Sequence, residues 1–332
     1  MSINICVVVP TYNRADLIPL TLKTILSQSY QPDEIIVVDD GSKDNTEEVV
    51  RRFGSSVRYL RIENSGECRA RNVGVSHSQC EYVAFCDSDD LWHPDKLMSQ
   101  ARIFEATPEC DYSFTNFRTV VDDIWLQNTK FDTLPSDFFN LQRCQIDTDL
   151  FVIQAPMFRP LLLNQPIFPS TIMMKRSFFE NVGRWDEPLG RTPSVDLEFH
   201  LRCVGRPNIG VVAAPMVGIR KHASNFSGNP LKLALGEVAV LRYVLANNPQ
   251  ARQYVRTIED QISLRSGWAA GLAFAAGDLE LSRKLMGHVL RKHRSWKIKI
   301  KSMILRCPNW IGRNLLKTPG LLGRKLRPQH SR

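Results

Sequence analysis

The sequence predicts an α/β fold: a mostly parallel sheet flanked by helices, followed by a helical C-terminal extension. Three observations predict it. Short β-branched apolar runs alternate with helix-spaced apolar residues through the N-terminal third, the pattern of strand-helix-strand units. The runs are continuous, not alternating with polar residues, as expected of strands buried on both faces. Beyond about Pro230 the strand pattern stops, and apolar residues recur three or four apart.

The elements follow in order. Ile3 to Val9 reads as a strand closed by Pro10, and Glu34 to Val38 as a second, closed by Asp39-Asp40-Gly41-Ser42. Between them Leu17, Leu20, Leu22, Ile25 and Leu26 share a helix face, with Asn13 or Asp16 available as cap. Asn45 or Thr46 opens a helix through Phe53, Val57 to Ile62 is a third strand, Ala70 to Ser78 a third helix, and Val83 to Cys86 the next strand. A helix from about Pro94 to Ala106 and a strand from Tyr112 to Arg118 complete the alternation. From Val120 to about Gln165 no period is sustained, and bulky residues mix with Pro135, Pro156 and Pro160. This reads as an insertion that shapes a pocket, or as a plain surface excursion. Pro169 to Met174 resembles a strand, and Ser177 to Val182 a short helix ended by Gly183. Leu231, Leu235, Val238, Leu241 and Leu245 mark a helix broken at Asn247-Asn248-Pro249, with further helices around Tyr254 to Phe274 and Leu279 to Leu290. The expected division is a catalytic domain over 1–228 and a helical, basic region over 229–332.

Composition narrows the function. No uncharged apolar stretch of about 18 residues occurs, and the N-terminus lacks the basic-then-apolar pattern of a secretory leader. A cytoplasmic protein is expected. Eight cysteines are scattered without a Cys-x-x-Cys pair, which favours reduced core residues over disulfides or zinc ligands. The net charge of +9 is localised: residues 283–332 carry 15 Lys and Arg and no Asp or Glu, and the rest carries 28 basic against 34 acidic residues, a net of −6. Leu281, Leu285, Val289, Trp296, Ile300 and Ile304 form an apolar stripe among these basic residues, and Ile311, Leu315, Leu322 and Leu326 repeat it. Such a segment suits an anionic membrane surface at the inner face of the cell membrane; the alternative is a helical cap packed on its own protein. No aromatic stacking platform accompanies the charge, so nucleic acid is not an expected partner.

The chemistry concentrates in Phe85-Cys86-Asp87-Ser88-Asp89-Asp90-Leu91-Trp92, where an apolar run ends in three carboxylates within four positions. Acids this close repel one another unless a cation sits among them, and oxygen ligands of this kind suit Mg2+ or Mn2+. At the C-terminal end of a buried strand, they stand where open α/β sheets bind ligands. An acidic turn leading into a helix is the structural alternative.

Three further segments join it in order: Val7-Val8-Val9-Pro10-Thr11-Tyr12-Asn13-Arg14, Val37-Val38-Asp39-Asp40-Gly41-Ser42 and Ala70-Arg71-Asn72-Val73-Gly74. Together the four resemble the family 2 glycosyltransferases of GT-A fold, a Rossmann-like architecture, over roughly residues 3 to 228. The resemblance implies an inverting, metal-assisted transfer of a hexose or N-acetylhexosamine from a nucleotide-diphosphate donor, with UDP as the expected nucleotide, to a glycan or lipid-linked acceptor. It implies a donor site of Pro10, Thr11, Tyr12, Arg14, Asp39, Asp40, Arg71, Asp87 and Ser88. Asp39 and Asp40 could instead only brace a tight turn, and Arg71 could be an ordinary surface residue. Asp87 and Asp89 form the Asp-x-Asp element, with Asp89 as the metal ligand, while Asp90 is expected to brace the loop and Trp92 to pack. Arg220-Lys221-His222 resembles the family's closing Arg-x-His loop, which makes His222 a second metal ligand or a loop histidine.

A general base must accept the proton of the attacking hydroxyl. Val182-Gly183-Arg184-Trp185-Asp186-Glu187-Pro188 and Val195-Asp196-Leu197-Glu198-Phe199-His200-Leu201-Arg202 resemble the family's lead-in and base-bearing helix, so Asp196 is the implied base. Val195 stands where the family usually has Glu. If Asp196 only caps its helix, Glu198 is the nearest substitute, and His200 is expected to be structural. Two other classes remain open at this point: a sugar-1-phosphate nucleotidyltransferase, which would release pyrophosphate, and a catalytically silent nucleotide-binding subunit, in which changing Asp196 would alter nothing.

Overall fold

The computed structural model describes residues 3–222, 228–294 and 296–305. The chain divides into two compact units, Met1–Arg191 with Phe199–Ala223, and Thr192–Glu198 with Ser224–Arg332.

The first unit opens with β1 (Ile5–Thr11), α1 (Ile18–Leu26), β2 (Glu34–Asp39), α2 (Thr46–Arg51), β3 (Arg58–Arg61), α3 (Glu67–Ser76) and β4 (Tyr82–Phe85). These strands pair in parallel in the order β3-β2-β1-β4. β1 and β4 are buried along their whole length, which is why their apolar runs are unbroken. Gly74 lets α3 close on β1, since a Cβ there would lie 2.3 Å from Val8 Cγ1. α3 starts three residues before the expected Ala70 because Gly66, at φ +98°, turns the chain into it.

The unit continues with β5 (Leu91–Trp92), α4 (Lys96–Ala106), β6 (Tyr112–Val121), β7 (Ile124–Thr129), β8 (Arg143–Gln145), β9 (Leu150–Ile153), α5 (Phe158–Leu163), β10 (Ile172–Lys175), α6 (Arg176–Val182), α7 (Val195–Cys203) and β11 (Ile209–Lys221). α7 begins within the segment that groups with the second unit. β10 joins β4 to β6 in antiparallel fashion, β11 runs parallel to β6, and β9 then β8 extend the sheet. Beside the C-terminal half of β11 lies β5, and β7 forms a hairpin with β6.

Two findings depart from the sequence reading. The segment 120–165, without readable period, contains three strands and a helix; β7 and β8 are exposed almost throughout, so no buried face imposed an apolar pattern on them. β11, the longest strand, was not anticipated at all. Gly210, Pro215 and Gly218 interrupt it, and its pairing with β6 shifts register between Val212 and Val217, a bulge that accommodates the proline.

The core of the first unit is the sheet with the inward faces of α1 and α4. It contains one unusual group. Lys96 is fully buried, with Nζ 3.8 Å from the centroid of the Trp92 ring and 3.4 Å from the Ile172 carbonyl; burial pulls its pKa down to about 7. Trp92 donates its indole N–H to the Ser170 carbonyl, the packing role expected of it. Six of the seven described cysteines are buried, and Cys144 is exposed.

The second unit holds α8 (Pro230–Asn247), α9 (Val255–Ala275), α10 (Leu279–Met286) and α11 (Trp296–Ile304). Asn229 caps α8 by accepting from the Lys232 N–H, and Asp278 caps α10 from Leu281. Ala269, Ala270 and Ala273 allow close packing around Phe274. Part of the expected membrane stripe is used internally: Leu285 and Val289 are buried in this cluster, with Leu281 and Ile304 packed against it. Trp296 and Met303 stay exposed. The second apolar set, Ile311 to Leu326, lies outside the described residues. No helix among the described residues is long and apolar enough to cross a membrane.

Candidate active site

The C-terminal ends of β1, β2 and β4 lie at one edge of the parallel strands, and segments 10–14, 39–42 and 87–90 follow them there. Asn13, at φ +50°, ties the first two ends together: its N–H donates to Ser42 Oγ at 2.8 Å, and its Oδ1 accepts from the Lys43 N–H at 2.7 Å. Pro10 and Thr11 are buried at the end of β1, Tyr12 is exposed, and the Thr11 hydroxyl has no hydrogen-bond partner among the described residues.

Asp39 and Asp40 both brace their turn. Asp39 accepts from the Ser42 N–H at 2.7 Å and from the Tyr59 hydroxyl at 2.6 Å. Asp40 accepts from the backbone N–H groups of Ser65 and Gly66, at 2.7 and 2.9 Å. A donor contact by either acid would use the lone pairs that remain.

Arg71 is no surface residue. It is 1% exposed, its Nη2 donates to Asp87 Oδ1 at 2.8 Å, its Nη1 lies 3.6 Å from Glu67, and its guanidinium stacks 4.6 Å from the centroid of the Trp185 ring. Burial opposes its charge, but Asp87 and Glu67 outweigh that and hold its pKa above the ordinary arginine value. Arg71 therefore fixes Asp87, whose own N–H donates to Ser170 Oγ at 2.9 Å. Ser88 is buried, with its carbonyl accepting from Thr21 Oγ1 at 3.0 Å.

The three acids are unequal. Asp90 is buried and accepts from Ser170 Oγ at 2.5 Å and the Arg220 N–H at 3.2 Å. Burial, then the charges of Asp89 and Asp87, push its carboxyl well above the usual carboxylate range, and its two hydrogen bonds brace the loop. Asp89 points to the open corner. Its Oδ2 lies 2.9 Å from His222 Nε2 and 3.7 Å from Arg14 Nε. Thus residues brought together from β1, β4 and the end of β11 include the two expected metal ligands. Among the described residues no group of three His, Cys, Asp or Glu is placed to hold a metal. A carboxylate and an imidazole fit Mg2+ or Mn2+ only if water and diphosphate oxygens complete the shell, which is the usual arrangement for a nucleotide-bound ion.

Sequence reasoning missed three supporting residues. Ser170 links Asp87 to Asp90; the sequence reading places it only within a strand from Pro169 to Met174, whereas Pro169–Thr171 form a 3-10 turn and the strand starts at Ile172. Asn72 clamps the lead-in over 182–188, donating to the Trp185 carbonyl and Glu187 Oε1 at 2.9 Å each and accepting from the Trp185 N–H at 3.0 Å. Arg220 bonds the Asp89 carbonyl through Nε, and through Nη2 the Leu17 carbonyl at 2.8 Å and Thr21 Oγ1 at 3.0 Å. Its signal was the Arg-x-His resemblance, read for the histidine alone.

Farther along, Gly183 caps α6 at φ +99°, and Arg202 donates to the carbonyls of Val182 and Arg184 at 2.6 and 2.8 Å. Trp185 stacks on Phe199 with centroids 4.0 Å apart. His200 lies 3.0 Å from the Tyr112 hydroxyl, and its pKa falls to about 3 through burial and the charges of Arg71 and Arg202, so it is a neutral structural residue. Asp196 occupies the first turn of α7, half-buried, in the Thr192–Glu198 segment of the second unit.

A mostly parallel α/β sheet whose strand ends gather an Asp-x-Asp element, a facing histidine and two arginines defines a class, the GT-A-type glycosyltransferases. The model of glycosyl transferase family 2 matches residues 6–183, and the chain belongs to that family. It is 39% identical over 123 residues to TuaG of Bacillus subtilis, a glycosyltransferase named for teichuronic acid biosynthesis, covering 36% of this chain and 48% of TuaG. Staphylococcus aureus TarS 1–349 in complex with UDP-GlcNAc shares the fold at a TM-score of 0.60 and 17% identity, covering 94% of this chain and 91% of that one. The mannosyltransferase PcManGT of Pyrobaculum calidifontis, in complex with GDP-Man and Mn2+, shares it at 0.53 and 20%, covering 92% and 87%. Matches span 31% to 57% of the length of the first curated relatives.

Proposed function

We propose that the protein is an inverting glycosyltransferase that moves a hexose or N-acetylhexosamine from a UDP-sugar to a glycan or lipid-linked acceptor in polysaccharide assembly. The observation that carries this reading is the corner in which Asp89 faces His222 and Arg14 while Arg71 holds Asp87. Pro10, Thr11, Tyr12, Arg14, Asp39 and Asp40 border the nucleotide, and Asp87 and Ser88 lie beside the ribose. Asp89 and His222 hold Mn2+ or Mg2+, which when bound offsets the charge of the diphosphate. Asp196 accepts the acceptor hydroxyl proton as the oxygen bonds to the anomeric carbon. The C–O bond to phosphate breaks, and its electron pair leaves with the nucleoside diphosphate. Attack opposite the leaving group inverts the configuration.

TarS with UDP-GlcNAc and PcManGT with GDP-Man support a nucleotide-sugar donor without choosing the base. A screen of UDP-, GDP- and dTDP-sugars with Mn2+ is expected to release UDP from one UDP-sugar, with release stopped by chelator. Pyrophosphate formed instead from a sugar 1-phosphate and a nucleoside triphosphate would overturn the reading.

The basic tail holds the protein at the cytoplasmic face of the membrane in this proposal, supported by the charge of residues 283–332 and the exposed Trp296 and Met303. The full chain should cosediment with phosphatidylglycerol vesicles at low salt; recovery in the supernatant at every salt concentration refutes the membrane role.

A further inference from the structure

We propose that Trp125 is the platform on which a pyranose ring of the acceptor lies. The β6–β7 hairpin turns through Asp122 and Asp123, both at positive φ (+48° and +61°), the signature of a tight two-residue hairpin turn. It leaves Ile124, Trp125 and Leu126 exposed by 67%, 36% and 43%. Trp125 differs from its neighbours because its indole is turned over β11. A Cβ added to Gly218 would meet Trp125 Cη2 at 2.7 Å and Cζ2 at 2.8 Å. Gly218 thus provides a flat backbone seat for the ring, and about a third of the residue stays open to a ligand.

The seat stands next to the chemistry. Gly218 pairs with Leu91, two residues past Asp89, and β11 continues through Arg220, bonded to the Asp89 carbonyl, to His222, which faces the Asp89 carboxylate. At ~3.3 Å per residue the run from Gly218 to His222 covers about 13 Å, close to the length of a disaccharide. A cavity of about 600 Å³ adjoins the other side. Thr129 on its rim pairs with Arg118, and Arg118 pairs with Gly218. Phe131, Phe139, Asn116 and Asp149 line it, a mixture suited to further sugar units.

The chemistry of the seat selects a sugar. A pyranose has a C–H face that lies against an aromatic ring and a rim of hydroxyls that needs polar partners. Asp122 and Asp123 form the turn, three and two residues before Trp125, and Arg118, which pairs with Gly218 beneath the indole, has an Nε with no hydrogen-bond acceptor among the described residues. An acyl chain would leave those charges unmatched.

An acceptor role rests on the glycosyltransferase reading, so the test uses binding without turnover. Saturation-transfer NMR on the full chain, without donor or metal, would probe cellobiose, lactose and N,N′-diacetylchitobiose, with UDP plus Mg2+ measured separately. Transfer to the C–H protons of at least one disaccharide is expected. It should fall at least fivefold in Trp125→Ala, stay largely intact in Trp125→Tyr, and weaken in Gly218→Ala, which lifts the indole from its seat, with UDP binding unchanged in all three. Absence of transfer to every disaccharide, or equal transfer in the parent and Trp125→Ala, overturns the proposal. So does a Trp125→Ala variant that loses only vesicle binding, which would make the hairpin a membrane contact. Sugar binding through Trp125 in a protein that ignores UDP would sink the glycosyltransferase reading and leave the platform standing.

Discussion

Asp89→Ala is expected to abolish Mn2+-dependent donor binding and lower transfer by about 10³-fold, because it removes the carboxylate that faces His222. A dication at a departing diphosphate is worth several kcal/mol of charge stabilisation, and ~4 kcal/mol corresponds to that factor. The side chain is not a support for the loop: among the described residues its oxygens meet His222 and Arg14, whereas Asp90 and Arg71 carry the internal bonds. The variant should therefore fold. Calorimetric titration with UDP, with and without Mn2+, separates the outcomes. A variant that retains the parent's manganese dependence would show that the ion is held elsewhere.

Asp196→Asn is expected to bind donor as the parent does while transfer falls 10²- to 10⁴-fold, the usual share of a positioned base. Asparagine keeps the shape and the hydrogen-bonding oxygen in the first turn of α7 but cannot take a proton. Single-turnover transfer alongside UDP titration reads the two steps apart. Transfer at the parent rate would assign the base elsewhere. Glu198, the substitute on the same segment, is buried, which weighs against it.

Residues buried on both sides wrote the clearest signal. Ile5 to Val9 and Val83 to Phe85 are wholly buried, so their apolar runs named the parallel strands directly. The hairpin strand β7 is exposed along its length, and selection for a core left no mark on it. β11 was hidden for a different reason: its glycines and proline serve a bulge and the Trp125 seat, and they read locally as strand breakers. In the candidate site, residue types were legible and their environments were not. Nothing in Asp87-Ser88-Asp89-Asp90 says which acid is buried, because Ser170 and Arg220 come from 80 and 130 residues away. The same holds for Arg71, whose burial depends on Trp185 far along the chain.

Those sequence separations bear on how the protein can be cut. The family match ends at residue 183, yet Arg220 and His222 bond the Asp89 carbonyl and carboxylate from outside it. A fragment trimmed to that boundary would retain all three acids and lose the two side chains that hold Asp89 from β11 and its end, so a piece able to carry the corner extends through His222.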